Sequence, residues 1–387
     1  MIVKAHGGTL INQVLSEKER EAILSYRNQF PVLEINEEKA IEAQNIATGV
    51  FSPLQGFLNQ DDFREILFRN RLTSGHAWTI PIILDVTRET AGKVKKNDTV
   101  ILVCQGRPIA SMRIEDMYTW DFAEYARNVF GTIDERHPGV KKLKTCGEYF
   151  IGGTVHFLSD PISRYPEYHL TPRETRILFS EKKWNTVVGF QTRNVPHLGH
   201  EYVQKSALSL VDGLFVNPVI GEKKKGDFKD EVILSSYKAL LDHYYRKENT
   251  VMSILQTEMR YAGPKEAIFH AIVRKNFGCS HFIIGRDHAG VGDFYHPFAA
   301  QKIFDSFPDL DITPIFFMSF FFCKTCNSIA NDKTCPHPAD AHIDYAGKII
   351  REKLTQGEIP PELMMRKEVS EEILKHSHPF VGDKQSR

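Results

Sequence analysis

The sequence predicts an α/β protein built on a parallel sheet, with a β-rich domain before it and a small metal-binding segment after it. Three observations predict this. From Arg173 onward, uninterrupted apolar runs alternate with helix-length segments, the rhythm of buried parallel strands and their crossover helices. Before residue 160 the runs are short and separated by turn signals. Three of the six cysteines, Cys323, Cys326 and Cys335, crowd into one short stretch.

A chain of 387 residues is long enough for two or three domains, and the expected divisions are 1–165, 166–318 and 319–387. In the first, helices are expected at Glu17–Gln29 and Gln60–Arg69, with strands at Trp78–Val86 and Thr99–Val103 and a hairpin-like break at Gln105–Pro108. Asp160-Pro161, Tyr165-Pro166 and Thr171-Pro172 mark a linker. Beyond it the expected order is helix Arg173–Lys183, strand Thr186–Phe190, helix His200–Ser209, strand Leu214–Ile220 and helix Glu231–Arg246. Strand Thr250–Leu255, helix Pro264–Asn276 and strand His281–Ile284 complete the series.

With 49 basic and 49 acidic side chains the formal net charge is zero, which argues against nucleic acid or a membrane surface as partner. An anionic ligand would have to be held by local groups. The N-terminal residues lack the apolar core of a signal peptide, so a cytoplasmic protein is expected. The most apolar run, Ile315–Phe322, is far short of the roughly 20 residues of a membrane span and reads as a buried strand.

Two stretches carry the densest chemistry. In Phe190-Gln191-Thr192-Arg193-Asn194-Val195-Pro196-His197-Leu198-Gly199-His200 a buried strand gives way to a helix, where free N–H groups and the helix dipole favour anions. Gln191 and Arg193 add donors, and the guanidinium suits a tetrahedral oxyanion. His197 and His200, three apart, share a face and suit stabilisation of developing phosphate charge. The second stretch, Gly285-Arg286-Asp287-His288-Ala289-Gly290-Val291-Gly292, also follows an apolar strand and adds a cation and close backbone approach.

Two further stretches are weaker. Gly221–Asp227 begins like a P-loop but has Asp227-Phe228 where Lys-Ser/Thr is required, leaving a flexible basic loop or a solvated charge run. Met259–Glu266 offers Arg260 at a strand end, or an ordinary Pro-started helix entry. The cysteine cluster is more specific. Cys323-x-x-Cys326 with Cys335 and a histidine makes a closed tetrahedral zinc site, the fourth ligand being His342 by its looser spacing or His337 by tight local chelation.

These residues resemble the ATP sulfurylase (sulfate adenylyltransferase) family in its zinc-containing bacterial and archaeal single-function form. The likeness rests on Gln191-Thr192-Arg193-Asn194-x-Pro196-His197-x-x-His200 and Gly285–Gly290. It extends to His6–Leu10, Phe51–Phe57, Met259–Pro264 and the cysteines. Departures are Val195, where many members have Pro directly after Asn, and Asn217, where His is common.

The resemblance implies a Rossmann-like nucleotidyltransferase domain between a PUA-like β-rich domain and a zinc-bearing α/β segment. It implies that MgATP and sulfate give adenosine 5′-phosphosulfate and pyrophosphate. Gln191, Arg193 and Ala289 would bind sulfate, Thr192 and Asn194 the phosphates, and His197 and His200 the α–β bridging oxygen and leaving pyrophosphate. Gly285, Arg286, Asp287 and His288 would complete the nucleotide site. Mg2+ would enter with ATP, and members of this length suggest a homodimer. Competing readings are the same chemistry on another acceptor, and an RNA-binding PUA–zinc protein that zero net charge disfavours.

Overall fold

The computed structural model describes residues 2–345 and 347–382. Its first part is organised by a six-stranded sheet of β1 (Val32–Glu34), β2 (Gly56–Phe57), β3 (Leu84–Val86), β4 (Thr99–Cys104), β5 (Arg107–Thr119) and β6 (Tyr149–Phe157). The order is β1-β4-β5-β6-β2 with β3 also on β6, and only the β1–β4 pairing is parallel. Gln105 and Gly106 join β4 to β5 at φ of 51° and 76°, the positive values a two-residue hairpin requires.

Several expected elements are shortened. Trp78–Val86 pairs as a strand only at Leu84–Val86, because Pro81 cannot donate to a ladder and the residues before it are buried but irregular. The first helix stops at Ser25 and ends in a 3-10 turn at Arg27–Gln29. Helices Glu37–Ala47, Phe122–Phe130 and Pro138–Leu143 add to the two expected.

The second sheet is wholly parallel. It contains β7 (Val187–Thr192), β8 (Gly213–Ile220), β9 (Thr250–Met252), β10 (Leu255–Gln256), β11 (His281–Ile284) and β12 (Thr313–Phe316), ordered β10-β8-β7-β11-β12 with β9 also beside β8. Every residue of β8 is buried, as a strand covered on both faces should be. The expected strand Thr250–Leu255 breaks at Ser253, whose hydroxyl accepts the Leu170 N–H at 2.8 Å.

The run Ile315–Phe322 is not one buried strand. It is cut between β12, an edge strand whose Phe316 is 45% exposed, and β13 (Phe320–Cys323), which belongs to another sheet. That third sheet is antiparallel, with β13 between β14 (Ser328–Asn331) and β15 (His342–Asp344). An edge strand gains a neighbour on one side only, so the apolar run need not stay covered.

The helix Pro264–Phe277 joins the two larger parts. It is buried from Glu266 to Phe277, although Glu266, His270, Arg274, Lys275 and Asn276 are polar or charged. Its Phe269 packs on Phe51 and Trp78, ring centroids 5.4 and 5.6 Å apart. Burying each such ring contributes about 1.5–3 kcal/mol. One of its polar side chains, Asn276, is matched across the boundary. Asn276 donates to the carbonyls of Val50 (3.0 Å) and Ser52 (2.9 Å) and accepts from His6 N–H (2.9 Å). The C-terminal segment closes the other face, where Met365, Val369, Ile373 and Phe380 share a core with β7, β8 and helix Asp230–Tyr244. Among the described residues no helix is long and apolar enough to cross a membrane.

Candidate active site

From β7 the chain moves outward to β8, β9 and β10, then returns to the other side of β7 to form β11 and β12. The carboxyl ends of β7 and β11 therefore flank the point where strand order reverses, the usual ligand crevice of an open α/β sheet. β7 delivers Gln191 and Thr192 and runs on into Arg193 and Asn194; β11 runs on into Gly285, Arg286, Asp287, His288 and Ala289. Both expected stretches meet there.

Arg193 is half-buried. Its guanidinium donates to the Tyr261 hydroxyl (2.8 Å) and the Glu222 carbonyl (3.0 Å), while the nearest carboxylate, Asp227, stands 3.9 Å away. Its charge is thus held in place mainly by neutral oxygens. The Thr192 hydroxyl donates to the Asn194 carbonyl at 3.1 Å, and Asn194 itself is exposed. Gln191 Nε2 lies 2.9 Å from His270 Nδ1, which is also 3.1 Å from His288 Nε2.

His197 caps the helix Leu198–Leu208, its Nδ1 accepting the His200 N–H at 3.4 Å, so Nε2 carries the ring proton. The two rings stack 3.8 Å apart. Burial, with His200 adjacent, holds the His197 imidazole well below its usual pKa; burial lowers His200 to about 4. Two neutral imidazoles thus sit at a helix N-terminus. Outer contacts fix that end of the helix: Leu198 N–H donates to the Met364 carbonyl (2.9 Å), Arg366 forks onto Glu201 at 2.9 Å through both nitrogens, and the Tyr345 ring lies parallel to His197. Glycine is required at 199, because a Cβ there would meet Phe320 Cε2 at 2.6 Å.

The β11 loop is strained in a directed way. Asp287 and Ala289 hold φ of 53° and 58°, a left-handed region that costs a non-glycine residue about 1 kcal/mol. The Ala289 carbonyl accepts Gly263 N–H at 3.0 Å, and Arg286 reaches Ser319 at 3.4 Å.

The loop after β8 is solvated at Glu222, Lys224 and Lys225 but tethered elsewhere. Lys223 pairs with Asp230 at 3.0 Å, both side chains nearly buried. The chain end stitches it: Gly226 N–H donates to Val381 O (2.9 Å), Val381 N–H to Asp227 O (2.8 Å) and Lys229 N–H to Pro379 O (3.0 Å). Asn217 is buried within β8 and donates to the Ser253 carbonyl, and Val195 packs in the core beside Phe190. Tyr261, Glu266 and His270 escaped notice as site residues. A Glu and a His four apart, and so on one face of the helix after the Pro264 start, were the available signal.

At the third sheet Cys323, Cys326, Cys335 and His337 bring four ligand atoms within 4.8 Å of one another. His337 Nδ1 lies 3.5, 3.2 and 3.6 Å from the three sulfurs. His342, the looser-spaced alternative, approaches only Cys335 (3.6 Å) and stacks its ring on Phe321, because β15 aligns it with β13. Two thiolates bound tetrahedrally at about 2.3 Å are about 3.8 Å apart. The Cys326–Cys335 sulfur distance is 3.7 Å. The donor set fits zinc.

A family model described as ATP-sulfurylase matches residues 166–376, and one described as a PUA-like domain matches residues 3–160. Sulfate adenylyltransferases of Thermococcus onnurineus and Pyrococcus abyssi are each 50% identical over 381 residues, covering 98% of this chain and 100% of theirs. That of Hyperthermus butylicus is 50% identical over 384 residues, 99% of each chain. A solved structure titled hexameric APS kinase from Thiobacillus denitrificans shares the fold, with a TM-score of 0.76 and 21% identity over 98% of this chain and 69% of that one. Its sheet order, its two converging loops and full-length relatives at 50% identity place the chain in one group: it belongs to the ATP-sulfurylase family.

Proposed function

We propose that this crevice joins sulfate to the α-phosphorus of MgATP, releasing pyrophosphate and forming adenosine 5′-phosphosulfate. The observation that carries the reading is the convergence of Gln191 and Arg193 with the Arg286–Ala289 loop at the strand-order reversal. A sulfate oxygen forms a bond to the α-phosphorus as the bond to the α–β bridging oxygen breaks, and that electron pair departs with pyrophosphate. Sulfate is fully ionised near neutrality, so positioning and charge neutralisation suffice and no general base is needed.

Gln191, Arg193 and the backbone at Ala289 hold sulfate. Arg193 suits this because neutral oxygens steady it and leave its charge for an anion. Thr192 and Asn194 line the phosphates. His197 and His200 face the bridging oxygen as neutral donors, and approaching negative charge would draw protons onto them. Gly285, Arg286 and Asp287 take the nucleotide side, with His288 acting through its contact with His270. Magnesium enters with ATP and neutralises phosphate charge. Cys323, Cys326, Cys335 and His337 hold a structural zinc, all four positions being filled by protein. A homodimer in the cytoplasm completes the reading; six unpaired cysteines agree with a reducing compartment.

Pyrophosphate release that requires both ATP and sulfate supports the reading; release with molybdate or a mononucleotide but not with sulfate replaces the acceptor. Arg193→Ala should fold normally and lose about 10²-fold or more in kcat/KM for sulfate.

A further inference from the structure

Glu266 takes no part in the mechanism above, yet it is completely buried beside the site. Its carboxylate serves two directions. Toward the preceding loop, Oε1 accepts Arg260 N–H and Oε2 accepts Ala262 N–H, both at 2.9 Å, so it grips the backbone on either side of Tyr261. Tyr261 holds φ at +59°, an unfavourable value for an aromatic residue. Its hydroxyl accepts from Arg193. Toward its own helix, Oε1 lies 3.5 Å from Nε2 of His270, one turn on.

The His270 contacts fix where its proton is. The Gln191 amide nitrogen can only donate, so Nδ1 of His270 is an acceptor and Nε2 bears the hydrogen, facing the carboxylate. Gln191 has no other tether through its amide: its buried Oε1 lacks a hydrogen-bond partner among the described residues. The orientation of Gln191 therefore follows the tautomer of His270, which the Glu266 carboxylate biases electrostatically across 3.5 Å, Nε2 making no hydrogen bond, while His288 Nε2 at 3.1 Å from Nδ1 acts on the same ring.

We infer that Glu266 is a positioning residue for sulfate, setting Arg193 through the Tyr261 backbone and Gln191 through the His270 tautomer. The inference rests on the reading of Gln191 and Arg193 as the sulfate grip. An amide at 266 would put a donor against the His270 Nε2–H or a backbone N–H. Either the loop would relax, or the imidazole would move its proton to Nδ1 and turn a donor toward Gln191.

The test is steady-state kinetics of the full chain with sulfate and ATP varied separately. Glu266→Gln should raise KM for sulfate about tenfold or more, with a clearly smaller rise in KM for ATP passed on through the His270–His288 contact. Tyr261→Phe and His270→Phe each cut one arm and should each raise sulfate KM by a smaller factor, their product approaching the Glu266→Gln effect. A folded Glu266→Gln protein with unchanged sulfate KM overturns the inference, as do equal rises in both KM values, which mark a merely structural role. Should Glu266→Gln not fold, unchanged sulfate KM in both single-arm variants overturns it equally. A wild-type chain without sulfate-dependent pyrophosphate release refutes the reading of the site itself; an active wild type with an unmoved Glu266→Gln refutes only the role of Glu266.

Discussion

At the scale of single residues, this chain keeps several buried imidazoles neutral. His6 and His200 are both lowered to about 4, burial being the largest cause in each, and His6 also donates from Nε2 to the Ala77 carbonyl at 2.7 Å. Unfolded imidazoles titrate near 6.5. Below about pH 6.5 the unfolded chain therefore takes up protons that these folded rings refuse until about pH 4. Their contribution is intact above pH 6.5 and falls on acidification by up to about 1.4 kcal/mol per pH unit per ring. Urea midpoints measured from pH 7.5 to 5 should decline accordingly, and His6→Gln should flatten the decline. Residue types at the two strand ends were legible from sequence, since Gln191, Arg193, Arg286 and His288 declare themselves by density of donors. Their supports were not. Tyr261 and His270 act through contacts between residues about 70–80 positions apart, such as Arg193 with Tyr261 and Gln191 with His270, and a linear pattern does not encode such pairs.

At the scale of elements, the helix Leu198–Leu208 is held from outside as firmly as from within. Gly199 lies where the cysteine-bearing sheet touches it: an added Cβ would stand 2.6 Å from Phe320 and 2.9 Å from the His197 ring. Gly199→Ala should gain helix propensity, at most about 1 kcal/mol, yet displace the histidine pair. The expected outcome is near-wild-type thermal stability with kcat reduced about 10²-fold, read from melting curves and initial rates. Helix and strand identities in the parallel sheet followed from alternating apolar runs. Boundaries failed where side-chain chemistry interrupts a ladder, at Pro81 and Ser253, or where one apolar run serves two sheets, at Ile315–Phe322. The choice between His337 and His342 turned on β15, a three-residue strand paired antiparallel to β13, which no local pattern foretells.

At the scale of the whole molecule, the parts share buried elements among the described residues. The Pro264–Phe277 helix is shared by the first two parts, and the C-terminal segment supplies both the Cys323–Cys326–Cys335–His337 cluster and part of the core against β7 and β8. Cys323→Ser should therefore lower metal content from about one equivalent per chain and destabilise the Leu198–Leu208 helix with it. Metal analysis, with hydrogen exchange of that helix, checks this; full protection despite metal loss would separate the two. Zero net charge acquires its meaning at this scale, because Arg193 and Arg286 converge on one crevice without any bulk positive field.

The stitching of residues 224–229 by Pro379–Val381 bears on how an anion binds. Asp227 is set beside Arg193 by main-chain bonds formed when the protein folds, and Glu222 N–H is tied to the Glu258 carboxylate at 3.2 Å. The ordering entropy of that loop is lost at folding, not at the encounter with ligand. Affinity for a small, strongly hydrated dianion can then be spent on its dehydration, the larger obstacle, instead of on taming a loop.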